Sequence, residues 1–159
     1  MFEGNVQIAL FMHLQSIINA TRLWRARHDV AYADKALREG GQLWVTDVCA
    51  PISRLAECIT ETQKDLAATS IPAPIVGHAS DGNFHVVFVL NPSDPREMAE
   101  AERLNERVVH RALSLEGICT GEHGIGCGKM DFLIAEHSEA VSVMCAIKKA
   151  ISDRSYRKV

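Results

Sequence analysis

An α+β fold, a largely antiparallel sheet with flanking helices, is what this chain predicts, on three observations. Strand-like and helix-like stretches are interspersed along its length. One hairpin is explicit, with Asp81-Gly82 between two runs of strand formers. The 159 residues suffice for one domain with a real core, taken as 1–159, and are too few for two comfortable ones.

The elements follow in order. Residues 6–14 (V-Q-I-A-L-F-M-H-L) read as a buried strand, and a helix is expected from about Ile17 to Leu37, ended by Gly40-Gly41. Residues 42–48 (Q-L-W-V-T-D-V) make a second strand. Pro51 suits a first helical position, and Leu55, Ile59, Thr62 and Leu66 continue one helical face to about Ala68. Residues 74–78 and 84–90 are the strands of the hairpin. Asp94-Pro95-Arg96-Glu97 is a helix start, with Asp94 as cap and Glu97 reaching back. Leu104, Val108, Ala112 and Leu115 then face the core until Gly117. Residues 118–120 form a short strand leading into Gly121-Glu122-His123-Gly124, and Val141, Met144, Ile147 and Ile151 mark a last amphipathic helix. Repeats and low-complexity segments are absent.

Composition narrows the function. The chain is 47% hydrophobic and 23% charged with a net charge of −3, so no basic excess points to nucleic acid or an anionic membrane. The densest basic patch, Arg22, Arg25, Arg27 and His28, is local and suits a small anionic substrate. The apolar N-terminus from Val6 to Ile18 is interrupted by Gln7, His13 and Gln15. It is too short to span a bilayer, and Glu3 stands where a signal peptide would be positive. A soluble, cytoplasmic chain is expected, mitochondrial in a eukaryote. The five cysteines (Cys49, Cys58, Cys119, Cys127, Cys145) include no C-x-x-C pair, which reads as buried free thiols in a reducing compartment.

Two glycine-rich stretches carry the chemistry: Gly77-His78-Ala79-Ser80-Asp81-Gly82-Asn83-Phe84-His85 and Thr120-Gly121-Glu122-His123-Gly124-Ile125-Gly126. Imidazole and carboxylate are ligand types for a divalent transition metal. If Asp81-Gly82 is a two-residue turn, His78 faces His85 across the hairpin, with Cβ atoms about 4.5–5.5 Å apart on one face. Two imidazoles so placed can share one ion. A third ligand is wanted, and Glu122 is the best candidate. Cys119 and Cys127 flank that segment, but core packing explains them better than thiolate ligation. The set suits zinc and tolerates manganese or iron. The segment from His123 to Met130 lacks the first glycine and the Ser or Thr of a phosphate-binding P-loop, and its glycines lack dinucleotide-fingerprint spacing.

Those two stretches, with Leu23-Trp24-Arg25-Ala26-Arg27-His28, resemble the C-terminal domain of FAD-linked oxidases. Thr46-Asp47-Val48-Cys49-Ala50-Pro51 and the residues to Leu55 look closest to the cytochrome-type D-lactate dehydrogenases within that group. The resemblance runs almost continuously over 21–150. It implies an oxidoreductase that passes a hydride from a D-2-hydroxy acid to FAD. His78, His85 and Glu122 match the family's metal ligands, and the ion acts as a Lewis acid on the substrate hydroxyl. His123 would take the hydroxyl proton, Arg27 would bind the carboxylate, and Asn83 would orient the substrate's oxygens. Trp24, one turn before Arg27, is assigned to core packing, and Arg25 to a solvated helix charge.

Departures from the family pattern matter too. These 159 residues are expected to hold no flavin-binding domain, the helix and strand usual between Ser16 and Thr21 are reduced to four residues, and the tail after Ile151 is unlike that of relatives. Ser80 replaces a usual glycine. These features suggest a truncated relative, or one half of a split enzyme whose flavin comes from a separate chain. They also leave a sheet edge prone to self-association. Ala31 and Val45 offer nothing to a second carboxylate, so a small monocarboxylate such as D-lactate is the expected substrate. A non-catalytic metal-binding remnant is the alternative. A zinc hydrolase with His123 or Glu122 as base ranks third.

Overall fold

The computed structural model describes residues 17–151. The expected strand over 6–14 and the C-terminal tail from 152 lie outside them. The described elements are α1 (Ile17–Ala36), β1 (Gln42–Val45), β2 (Val48–Cys49), α2 (Ile52–Leu66), β3 (Ile75–His78), β4 (Asn83–Leu90), α3 (Pro95–Ser114), α4 (Met130–His137) and α5 (Ala140–Ile151). They fall into two compact units, divided between His123 and Gly124. None of the described helices is long and apolar enough to cross a membrane.

In the first unit β4 is the central strand and pairs antiparallel with β1, β2 and β3. All eight of its residues are buried. Side chains alternate across a strand, so Phe84, Val86 and Phe88 point to one face while Asn83 and His85 point to the other. The first face holds the apolar core. Phe88 contacts Trp44 across the pair at 5.8 Å between ring centres. Helix α3 packs on β2 and β4, and α2 on α3. Their buried stripes, Leu55, Cys58 and Thr62 on α2 and Leu104, Val108 and Ala112 on α3, recur at the three- and four-residue spacing of one helical face. Fully burying each large apolar side chain contributes about 1.5–3 kcal/mol, so this face holds the site's scaffold rigid.

The strand predicted over 42–48 is β1 and β2 in one register, Gln42 opposite Leu90 and Cys49 opposite Asn83, interrupted at Thr46-Asp47. The strand expected over 118–120 is a single bridge between Cys49 and Ile118. Asp94 caps α3 by accepting from the Arg96 N–H (3.0 Å), as its sequence predicts. Glu97 reaches further back than a capping box requires, to the Asn91 N–H (2.7 Å), and takes both Nη atoms of Arg38 (2.6 and 3.0 Å). Cys58 and Cys119 are buried as expected, Cys49 is half-buried, and Cys127 and Cys145 are exposed; all five are free thiols. In the second unit α4 packs against α5, and neither helix contains a fully buried residue.

Candidate metal centre

The β3–β4 turn sets the position of the first ligand. Its loop is four residues, Ala79 to Gly82, with the Asp81 N–H donating to the His78 carbonyl at 2.9 Å. Gly82 follows at φ +74°, and its carbonyl accepts from the Ala50 N–H (2.9 Å). A Cβ at Gly82 would lie 2.1 Å from the Ala50 carbonyl oxygen, so only glycine lets the neighbouring strand approach. The wider turn corrects the predicted register: His78 faces Asn83, and His85 faces Val76. A shift of two residues keeps every side chain on its face, whereas a shift of one would have inverted them. The histidines are therefore diagonal neighbours, with ring centres 6.0 Å apart and planes nearly perpendicular.

His85 is fixed by the interruption between β1 and β2. Its Nδ1 lies 2.9 Å from the Thr46 carbonyl oxygen. A carbonyl only accepts, so Nδ1 is the donor in this bond and Nε2 is the nitrogen turned toward Glu122. That Nε2 is 3.2 Å from Glu122 Oε1, and His78 Nε2 is 3.7 Å from the same oxygen. One ligand atom from each of His78, His85 and Glu122 lies within 4.8 Å of the others, and among the described residues this is the group able to hold an ion. Ligands on one zinc-sized ion, each at about 2.0–2.2 Å, sit roughly 3–4 Å apart, so small side-chain adjustments close the set. The donor types, their convergence and the second hydrogen bond of His85 fit a bound transition metal. His85 is almost fully buried while Glu122 is half exposed, which leaves one side of the centre open, as catalytic sites require.

The residues singled out by resemblance surround this centre. The His123 ring stacks on His85 with centres 5.1 Å apart, and its Nε2 lies 3.5 Å from Glu122 Oε1. Helix α1 brings Arg27 Nη2 to 3.4 and 3.5 Å from the two nitrogens of His78, so the guanidinium lies across that ring. Arg25 is solvated, its side chain 85% exposed. Trp24 departs from the core-packing expectation: it is 53% exposed and lies against the Arg27 guanidinium, 5.5 Å from ring centre to Cζ. Asn83 is buried, with Nδ2 donating to Asp47 Oδ1 at 2.9 Å. A cavity of about 270 Å³ opens beside the ligands, lined by Cys49, His78, Asp81, Asn83, Gly121 and Glu122. Burial, then the nearby Asp47 and Asp81 carboxylates, pushes the Cys49 thiol up, so it stays protonated and is a poor ligand.

Asp47 and Thr46 were not singled out as site residues by the sequence. Both fall between β1 and β2, and a polar pair interrupting the strand-like run over 42–48 is the signal that could have found them.

Two histidines and a carboxylate converging beside an open cavity on an α+β domain form a candidate metal centre of a kind used by oxidoreductases and hydrolases alike, and comparison with known proteins narrows the choice. The chain matches the FAD linked oxidases, C-terminal domain, over residues 2–152, and it belongs to that family. It is 48% identical over 136 residues to the probable mitochondrial D-lactate dehydrogenase of Danio rerio, covering 85% of this chain and 27% of that protein. It is 43% identical over 142 residues to the mitochondrial D-lactate dehydrogenase (cytochrome) of Arabidopsis thaliana, covering 89% and 25%. With D-lactate dehydrogenase (cytochrome) 1 of Saccharomyces cerevisiae the identity is 44% over 137 residues, covering 83% and 23%. The chain thus spans about a quarter of the length of these relatives.

Proposed function

We propose that this chain is the metal- and substrate-binding part of an FAD-dependent D-2-hydroxy acid dehydrogenase of the D-lactate type. The observation that carries this reading is the convergence of His78, His85 and Glu122 beside an open cavity, in a chain of the FAD-linked oxidase family. A divalent ion, zinc or manganese, supplies Lewis acidity toward a hydroxyl oxygen when bound there. FAD, implied by the family, supplies the two-electron acceptor, and no described residue is assigned to it. Arg27 binds the substrate carboxylate through its planar fork, steadied by Trp24. His123 Nε2, on a half-exposed ring that can reach substrate, receives the hydroxyl proton. Asn83, which gives one N–H of its amide to Asp47 Oδ1 and lines the cavity, orients the substrate's oxygens. Ala31 and Val45 present no group for a second carboxylate, which favours D-lactate over D-2-hydroxyglutarate. The mitochondrial designation of the relatives extends to this chain on the same reading.

The test is metal analysis of the purified chain beside D-lactate-dependent dye reduction, measured with a relative's flavin-binding region added. About one divalent ion per chain is expected, lost in the His78→Ala/His85→Ala double variant. His123→Ala should retain the ion and lose turnover. Equal metal in wild type and double variant would refute the centre. Metal without turnover in the supplemented wild type would instead identify a non-catalytic remnant.

A further inference from the structure

We propose that Asp47 is the positioning residue of this centre, holding the Thr120–His123 segment so that Glu122 reaches the two histidines. The proposal rests on the metal-site reading above. Asp47 is 1% exposed, and a carboxylate taken out of water costs several kcal/mol unless hydrogen bonds replace its hydration. Here they do. Three consecutive backbone N–H groups donate to its Oδ2, from Gly121 (2.9 Å), Glu122 (3.2 Å) and His123 (2.9 Å), and the Thr120 hydroxyl adds a fourth bond at 2.6 Å. Successive N–H groups closing around one anion form a nest, the device by which backbones bind free phosphates and carboxylates. In this chain the anion is the protein's own side chain.

The other oxygen faces the hairpin. Asp47 Oδ1 accepts from Asn83 Nδ2 at 2.9 Å and lies 3.8 Å from His85 Nδ1. A single carboxylate thus joins the strand carrying His85 to the loop carrying Glu122, 37 residues further along the chain. Both oxygens are occupied by donors, so Asp47 is not itself a metal ligand. Gly121 tightens the same joint: a Cβ there would sit 1.6 Å from Asn83 Nδ2, so the loop closes on Asp47 only with glycine at this position.

The test uses the full 159-residue chain, with cobalt(II) as the probe because its visible absorption reports ligand number and geometry. Asp47→Asn keeps the shape but turns one acceptor into a donor facing the nest or the Asn83 amide. Cobalt affinity should fall roughly 10–100-fold, the usual effect of removing a partner that orients ligands, and the absorption band should change as Glu122 leaves. Val108→Ala, in the buried stripe of α3, controls for lost stability: its melting temperature should drop with cobalt affinity unchanged. Thr120→Val removes one of the bonds and should shift affinity less, in the same direction, whether or not Asp47→Asn folds. Wild-type affinity and spectrum in both site variants would overturn the proposal. A wild-type chain that binds no cobalt would instead remove the metal reading beneath it.

Discussion

At Thr46 the backbone carbonyl and the side-chain hydroxyl exchange the parts that an unbroken ladder would give them. The Thr46 N–H still donates to the Val86 carbonyl (3.0 Å), but the Val86 N–H goes to Thr46 Oγ1 (2.8 Å), which frees the Thr46 carbonyl for His85 Nδ1. A threonine is what lets β1 and β2 hold one register while surrendering one ladder bond to His85. Thr46→Val should therefore leave the buried Val86 N–H without its acceptor, or make it take the carbonyl back from His85. We expect a loss of about 1–3 kcal/mol in urea unfolding together with weaker cobalt binding. A variant as stable and as metal-avid as the wild type would show that this exchange does nothing. The convergence of His78, His85 and Glu122 could be anticipated from sequence because histidine and glutamate in glycine-rich turns are candidate ligand types. For Asp47 and Thr46 the sequence offers only a polar pair interrupting a strand-like run, because their partners arrive from other strands and from a loop more than 70 residues away.

The elements themselves were legible wherever apolar spacing was regular. Leu104, Val108, Ala112 and Leu115 are all buried as their spacing requires. Helix α4 was not anticipated, since Phe132, Leu133, Ile134 and Ala135 are consecutive and carry no helical period. The hairpin register missed by two because Asp-Gly favours a two-residue turn, while contact with Ala50, a tertiary fact, demands the longer loop. Between α2 and α3 one ionic joint matters for stability. Asp65 accepts from Arg107 and Arg111, and Arg111 also donates to the buried Thr62 hydroxyl at 3.0 Å. Burial pushes the Asp65 carboxyl up, but the hydrogen bonds from Arg111 and Arg107 outweigh it and hold the group below its usual 3.8. A depressed folded value means the stabilisation is fully present above the unfolded pKa and is lost as pH falls through the folded one. Asp65→Asn should cost about 2 kcal/mol at neutral pH, chiefly through the half-buried Arg111, because Arg107 is screened by solvent. The deficit should shrink on acidification below about pH 4. Urea midpoints measured across that range check it, and a pH-independent deficit would rule the account out.

For the first unit as a whole, the central place of β4 divides its residues: Phe84, Val86 and Phe88 supply core on one side, while Asn83 and His85 face the candidate site on the other. Binding an ion to the folded form alone adds stability by mass action, about 2.7 kcal/mol at a hundredfold excess over Kd. How that gain divides between folding and unfolding rates follows from where the ligands lie in the chain. His78 and His85 belong to one hairpin, which closes within microseconds. Glu122 becomes a neighbour only after α3 has docked and the Cys49–Ile118 bridge has formed, so the third ligand joins late. The ion should then be a latch on a finished fold and not a nucleus for it. Stopped-flow measurements should find unfolding slowed roughly in proportion to the stability gained, with refolding nearly unaltered by cobalt. An ion that speeds refolding would place Glu122 in the folding nucleus. If the latch reading holds, removing the metal shortens the lifetime of the native state without hindering its formation, and the chain can mature first and acquire its ion afterwards.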